Sequence, residues 1–328
     1  MKALALWENI EAHLDSSLED WRSRVVSLGQ VAAVEARAAG REWSDDETFK
    51  GLLMAVLSNN TDWSKIERVQ SDLPKLFSEF SLKSYAELQA PEIGDRILPW
   101  FLDRKAGSMT LEKDLVNLIG SARQLTEHSR VHGTAESYFT SLVRNLDGDT
   151  KQAALCLGSR GKYKLPAFGV TLAAEALKNL GFDVAKPDRH LTRAVASFGL
   201  VAFRNWPDRS GRTPPKDSSA TSYLAVMGAV QDIATVADMP VVLVDNAIWL
   251  LCAKSGLYLK NPELANLARE GGASRERAEA VSALIRTWVE KHDGGEQRET
   301  IDSLVKGLDR ERLSARKLFP EELKGRSW

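Results

Sequence analysis

Three observations predict an all-α fold for this chain. Apolar residues recur near a 3.6-residue period, as at Leu14, Leu18, Trp21 and Val25. Polar cap residues precede such runs, most clearly in Ser44-Asp45-Asp46-Glu47, where Ser44 and Glu47 have capping-box spacing. Glycines close the runs, at Gly40, Gly158 and Gly181. With 328 residues, 43% of them hydrophobic and 27% charged, the chain is long enough for one elaborate domain or two smaller ones.

Taken in order, residues 1–40 read as helices, the Ala-rich Val31 to Ala39 among them. The helix begun at the Ser44 cap continues through Thr48 to Leu57 and ends in Ser58-Asn59-Asn60-Thr61. Short pieces follow from Leu73-Pro74 to Phe80 and from Ser84 to Leu88. Leu111 to Leu125 and Thr134 to Leu146 are longer amphipathic helices, and Asp147-Gly148-Asp149 turns the chain into a helix from Lys151 to Leu157. A tight turn, Leu165-Pro166-Ala167-Phe168-Gly169, comes next. Pro166 fixes φ, and Gly169 permits a positive φ and the close approach of another backbone. An amphipathic helix of roughly Thr171 to Leu180 is stopped by Gly181. Lys186-Pro187-Asp188 is then extended, with Asp188 as N-cap of a helix from Arg189 to Phe198.

Residues 203–216, with three Pro, one Gly and four basic residues, are loop-like. Ser218-Ser219 caps a helix to about Val236, and Val241 to Leu251 is apolar enough to pack as a core helix, with Asp245 read as a cap. From Asn261 onward the sequence is helical and charged, and Arg310, Arg312, Arg316 and Lys317 read as a solvated basic face.

Composition excludes several classes. Two cysteines, Cys156 and Cys252, imply no disulfide framework and fit a reducing compartment. Glu8, Glu11 and Asp15 follow the first residues too soon for a signal peptide, and no apolar run approaches a membrane span. No zinc spacing, Walker loop or Rossmann fingerprint occurs, so no metal or cofactor is expected. The formal net charge is −1, yet from Lys151 to Asp217 there are 12 Lys or Arg against 5 Asp or Glu. A basic patch on a weakly acidic body suits a phosphate backbone. The turn at Gly169 suits it as well. A helix beginning there offers unpaired N–H groups and a positive dipole end, and Arg160, Lys162 and Lys164 stand just before it.

LPAFGVTLA resembles the helix-hairpin-helix of the HhH-GPD superfamily of DNA glycosylases, L-P-G-h-G-x-x-x-A, with Ala167 in place of the first hairpin glycine. The junction from Gly158 to Lys164 is longer than the family's run from helix into hairpin. PDRHLTR resembles the family's D-x-H-h-x-R segment, which puts the catalytic carboxylate on Asp188, with His190 and Arg193 at the matching later positions. Asn59-Asn60-Thr61 sits where the family has a polar segment whose amides fill the gap left by the flipped base. Trp100 to Ala106 resembles the family's G-h-x-x-x-K-A segment, with Trp100 replacing Gly.

The resemblance implies two helical lobes around a DNA-facing cleft, with the core over 41–258; the helical addition over 1–40 and the charged helical region over 259–328 lie outside what it covers. It implies a monomeric cytoplasmic enzyme, on the nucleoid when bound, that excises a modified base from double-stranded DNA. Alkylated, oxidised and bulky modified bases, as in foreign phage DNA, stay open. The implied DNA contacts are Lys164, Pro166, Phe168, Gly169, Thr171, Asn59, Asn60, His190 and Arg193. Members that also cut the strand carry a Lys where Thr171 stands, which implies a monofunctional enzyme. Two cysteines cannot hold the iron–sulfur cluster that some members carry. Ala55 falls where the adenine-specific branch has a catalytic Glu, which argues against adenine excision. A non-catalytic hairpin DNA-binding protein is the alternative, and a helical interaction protein in which Asp188 is only a cap is a third.

Overall fold

The structure is a computed structural model that describes residues 2–203, 215 and 217–253. The loop proposed over 203–216 therefore lies almost wholly, and the 259–328 region wholly, outside the described residues. Three helices open the chain, α1 (Lys2–Ser17), α2 (Trp21–Ser27) and α3 (Gln30–Ala38). A run of eight follows: α4 (Asp45–Leu57), α5 (Trp63–Glu67), α6 (Leu73–Leu76), α7 (Leu82–Glu87), α8 (Ala90–Glu92), α9 (Leu98–Asp103), α10 (Leu111–His132) and α11 (Ser137–Asn145). Then come α12 (Thr150–Gly158), α13 (Val170–Asn179), α14 (Arg189–Ser197), α15 (Ala220–Ala237) and α16 (Val241–Ala253). No strand occurs among the described residues.

The helices form two lobes. In one, α10 is the spine and packs on α4 and α7, while α8 and α9 are joined through a π-helical turn, Ile93–Ile97. In the other, α1 and α2 rest on α16, α1 also on α15, and α14 packs between α15 and α16. The α12–α13 pair lies between the lobes, with α13 against α4 on one side and α3 on the other. Packing explains the apolar character of α16, whose Val242, Val244, Ala247, Ile248 and Leu251 are fully buried.

Local signals set most boundaries. The Ser44 capping box forms as expected, with Glu47 N–H on Ser44 Oγ and the Glu47 carboxylate on Ser44 N–H. The helix from Leu111 runs past Leu125 to His132, where Gly133 ends it. Two expectations fail. Gly169 is extended, φ −89° and ψ 173°, so it does not use a positive φ. The close approach between the hairpin helices belongs instead to Gly158, where a Cβ would stand 2.3 Å from Val170 N. Asp245 is not a cap. It is buried one turn into α16, and Asp183 does the capping, accepting from Val241 N–H at 3.0 Å and Val242 N–H at 2.9 Å.

Candidate functional site

A cleft of about 1400 Å³ opens between the lobes. The end of α4 forms one wall, α16 and α3 the other, and α13 with the Lys186–His190 segment the floor. Asp188 lies on this floor as the N-cap of α14, its Oδ1 accepting from His190 N–H at 2.7 Å and Leu191 N–H at 2.9 Å. Among the described residues, Oδ2 takes no hydrogen bond, and Asp188 lines the cleft.

The other sequence-predicted residues divide by what they already touch. Thr171, Asn59, Asn60 and His190 line the same cleft as Asp188. Gly169 and Pro166 are exposed on the hairpin, and a Cβ on Gly169 would meet nothing within 4 Å. Gly169 gives α13 no side-chain cap, which leaves the first-turn amides of that helix open. The Phe168 side chain is 1% exposed and belongs to the core, so it is out of reach of any partner. Lys164 is half-buried, and its ammonium donates to the Gly158 carbonyl at 2.9 Å, closing the end of α12. Burial pulls its pKa below the usual lysine range. Arg193 donates to the Cys252 carbonyl at 2.9 Å and ties α14 to α16.

Asn59 and Asn60, paired in the sequence argument, differ in place. Asn59 Nδ2 donates to Asp114 Oδ2 at 2.8 Å. Asn60 is exposed and left-handed, φ 49°, a conformation that Asn tolerates. Burial lowers the His190 pKa, and Arg189, Arg193 and Lys186 push the same way against the Asp188 carboxylate. This shift favours the neutral ring. Arg189 Nε stands 3.4 Å from Nε2 and Arg193 stands 3.5 Å from Nδ1. A neutral imidazole accepts at one nitrogen, so only one of these contacts is a hydrogen bond.

Sequence reasoning missed the network beneath Asp188. Lys178 is buried and donates to Asp245 Oδ2 at 2.5 Å and Asn246 Oδ1 at 2.8 Å. Burial disfavours its charge, but the carboxylates of Asp245 and Glu175 outweigh that and raise its pKa. Gln30 donates to Glu175 Oε1 at 2.9 Å and to Asn179 Oδ1 at 2.8 Å. Burial of Glu175 opposes ionisation, yet Lys186 and Lys178, 3.6 and 3.7 Å away, hold its pKa down at about 2. These partners lie far apart in the sequence, and no local pattern announces them. The exception is Glu175 and Lys178, whose i,i+3 spacing puts them on one face of α13.

Two solved structures have a similar fold. The 8-oxoguanine DNA glycosylase of Thermotoga maritima is 19% identical, with 75% of this chain and 96% of that one covered at a TM-score of 0.50. The 8-oxoguanine DNA glycosylase of Methanocaldococcus jannaschii is 16% identical, with 76% and 96% covered and a TM-score of 0.50. The chain has a DNA glycosylase fold. No protein-family model and no curated protein matches the sequence.

Proposed function

We propose that the protein is a DNA glycosylase that flips a modified base out of the duplex and hydrolyses its N-glycosidic bond. The observation that carries this reading is the placement of Asp188: one carboxylate oxygen is locked by helix amides and the other is left on the floor of an inter-lobe cleft. The hairpin with its open amides leads into the same helix that lines that cleft.

In this reading the exposed Gly169 turn and the first amides of α13 hold a backbone phosphate. The base leaves the stack for the cleft, because its glycosidic bond is out of reach inside the duplex. As the bond breaks, positive charge builds on the sugar. Asp188 Oδ2 stabilises that charge and orients the attacking water. Its partner oxygen costs nothing to reorganise, since the α14 cap already fixes it.

Thr171 supplies no amine, and its hydroxyl is occupied by the Pro187 carbonyl at 3.2 Å. Of the three lysines that stand nearest to the motif, Lys162 is exposed, Lys164 caps α12, and Lys186 lines the cleft. Lys186 is held by Ser58 Oγ at 3.3 Å and by Glu175. The reading is therefore of a monofunctional enzyme that leaves an abasic site. Oxidised guanine is the first base to test, because the proteins with the similar fold are named for it. Alkylated and bulky modified bases follow.

The test is base release from duplexes carrying each modification, followed by mass spectrometry. Wild type should release one class of base and leave an intact strand that alkali then cuts. Asp188→Asn keeps the cap and removes the charge, so turnover should fall on the order of a hundredfold while DNA affinity holds. DNA binding without release of any base would favour the non-catalytic hairpin protein instead.

A further inference from the structure

The lead-in to α14 has a partner for each polar backbone atom from Lys186 to the carbonyl of Asp188. Lys186 N–H donates to Asp245 Oδ2 at 3.0 Å. The Lys186 carbonyl accepts from Asp188 N–H at 2.7 Å, and the Asp188 carbonyl from Thr192 N–H at 2.8 Å. Pro187 has no N–H, and its carbonyl accepts from Thr171 Oγ1 at 3.2 Å. Two of these partners come from other helices. Thr171 stands in the first turn of α13, and Asp245 stands in α16.

We infer that Thr171 and Asp245 are positioning residues that clamp the two-residue Lys186-Pro187 segment at its two ends, Asp245 at the Lys186 N–H and Thr171 at the Pro187 carbonyl, and so fix where the Asp188 carboxylate sits. This rests on the glycosylase reading for the role of Asp188, but the clamp itself is a property of the free protein. Thr171 is the more telling member. Its backbone belongs to the hairpin helix, and its hydroxyl reaches the residue before Asp188. One residue thereby links the element offered to the DNA backbone with the carboxylate offered to the sugar. A carboxylate that acts on developing charge depends steeply on placement, and a shift of about 1 Å costs on the order of a hundredfold. Asp245 grips the other end of the same two-residue segment, at the Lys186 N–H. Its charge is matched by Lys178, which Asn246 also holds, and Asn246 in turn donates to Gln30 at 3.0 Å. The grip is thus anchored through α16 to the start of α3.

The test uses the full chain and three readouts: hydrogen–deuterium exchange over 184–192, single-turnover base release and duplex affinity. Thr171→Val keeps the shape and leaves the Pro187 carbonyl without its donor, whereas Thr171→Ser keeps the donor. Thr171→Val should speed exchange across 184–192 and slow base release roughly tenfold, with affinity within about twofold of wild type. Thr171→Ser should restore both. Asp245→Leu with Lys178→Met removes one buried charge of each sign, leaving Glu175 with Lys186, and should speed exchange at the Lys186 amide. Unchanged exchange in Thr171→Val, equal impairment by Val and Ser, or an affinity loss matching the rate loss would each overturn the clamp. Should wild type release no base, the glycosylase reading fails, and the exchange result still decides the clamp.

Discussion

Replacing Gly158 by Ala tests the hairpin through one methyl group. Gly158 is the last residue of α12, and a Cβ there would meet Val170 N at 2.3 Å, Val170 Cα at 2.4 Å and the Gly169 carbonyl carbon at 2.6 Å. All three are backbone atoms, so no side-chain rotation relieves the clash. Reaching even 3.0 Å requires the first turn of α13 to part from the end of α12 by about 0.7 Å. That separation opens the seam in which Ala153, Ala154, Leu157, Ala173, Ala174 and Leu177 are fully buried. It also pulls on the Leu165 N–H to Leu157 carbonyl bond, 3.1 Å, that closes the turn. Overpacking costs about 1–3 kcal/mol where side chains can yield, so a backbone clash belongs at about 3 kcal/mol or above. Against a typical total of about 5–15 kcal/mol that is readily measured in a urea melt. Gly169→Ala is the control. Its Cβ meets nothing within 4 Å and its φ suits any residue, so the cost should stay near the loss of a glycine cap, at most about 1 kcal/mol. If Gly158→Ala melts within about 0.5 kcal/mol of wild type, the argument that Gly158 sets the hairpin spacing is refuted.

Further outcomes follow from the same geometry. Gly169→Asp should strengthen the α13 cap yet weaken DNA binding by like charge, and wild-type log affinity should fall linearly with log salt; a flat salt response would remove the phosphate seat. Asn60→Ala should impair action on duplex more than on single strands, whereas Asn59→Ala, which breaks the bond to Asp114, should act through stability; equal effects on both substrates would make Asn60 an ordinary helix end. The depressed Glu175 pKa contributes stability that is fully present above the ordinary value near 4.5 and is lost as pH falls through about 2. The stability gap between wild type and Glu175→Gln should therefore shrink by on the order of 3 kcal/mol across that window, as urea melts from pH 6 to pH 2 would show. Borohydride should trap no protein–DNA adduct; a trapped adduct would send the search to Lys186, which the cleft already holds.

The legible part of this protein is local. The Ser44 box, the α13 boundaries, the Gly181 stop and the Asp188 cap each depend on residues within a few positions of one another. The illegible part is made by distant pairs. Asp183 caps a helix that starts 58 positions later, and Asp245 finds Lys178 at a separation of 67. An Asp-Asn pair followed by the apolar Ala247 to Leu251 reads as a cap, so the mistake over Asp245 was the default outcome of local reasoning. The hairpin glycine was misjudged for a related reason. The sequence shows that a glycine is needed, but which backbone crowds it is a fact about the packing of α12 on α13.

The two lobes also differ in how the chain supplies them. The α4–α11 lobe comes from one continuous stretch, so its contacts can form as soon as that stretch exists. The other is closed by α1 resting on α15 and α16, elements more than 200 positions away, and Gln30 meets Asn246 at a separation of 216. Loop closure over such distances is slow, which orders the events of folding. During synthesis the first lobe and the hairpin precede the wall that completes the cleft. A nascent chain that has not yet released α16 carries Asp188 but has neither Asp245 to hold the segment before it nor a closed cavity to receive a base. Base excision, on the proposed reading, thus begins only after the second lobe has closed around both ends of the described fold.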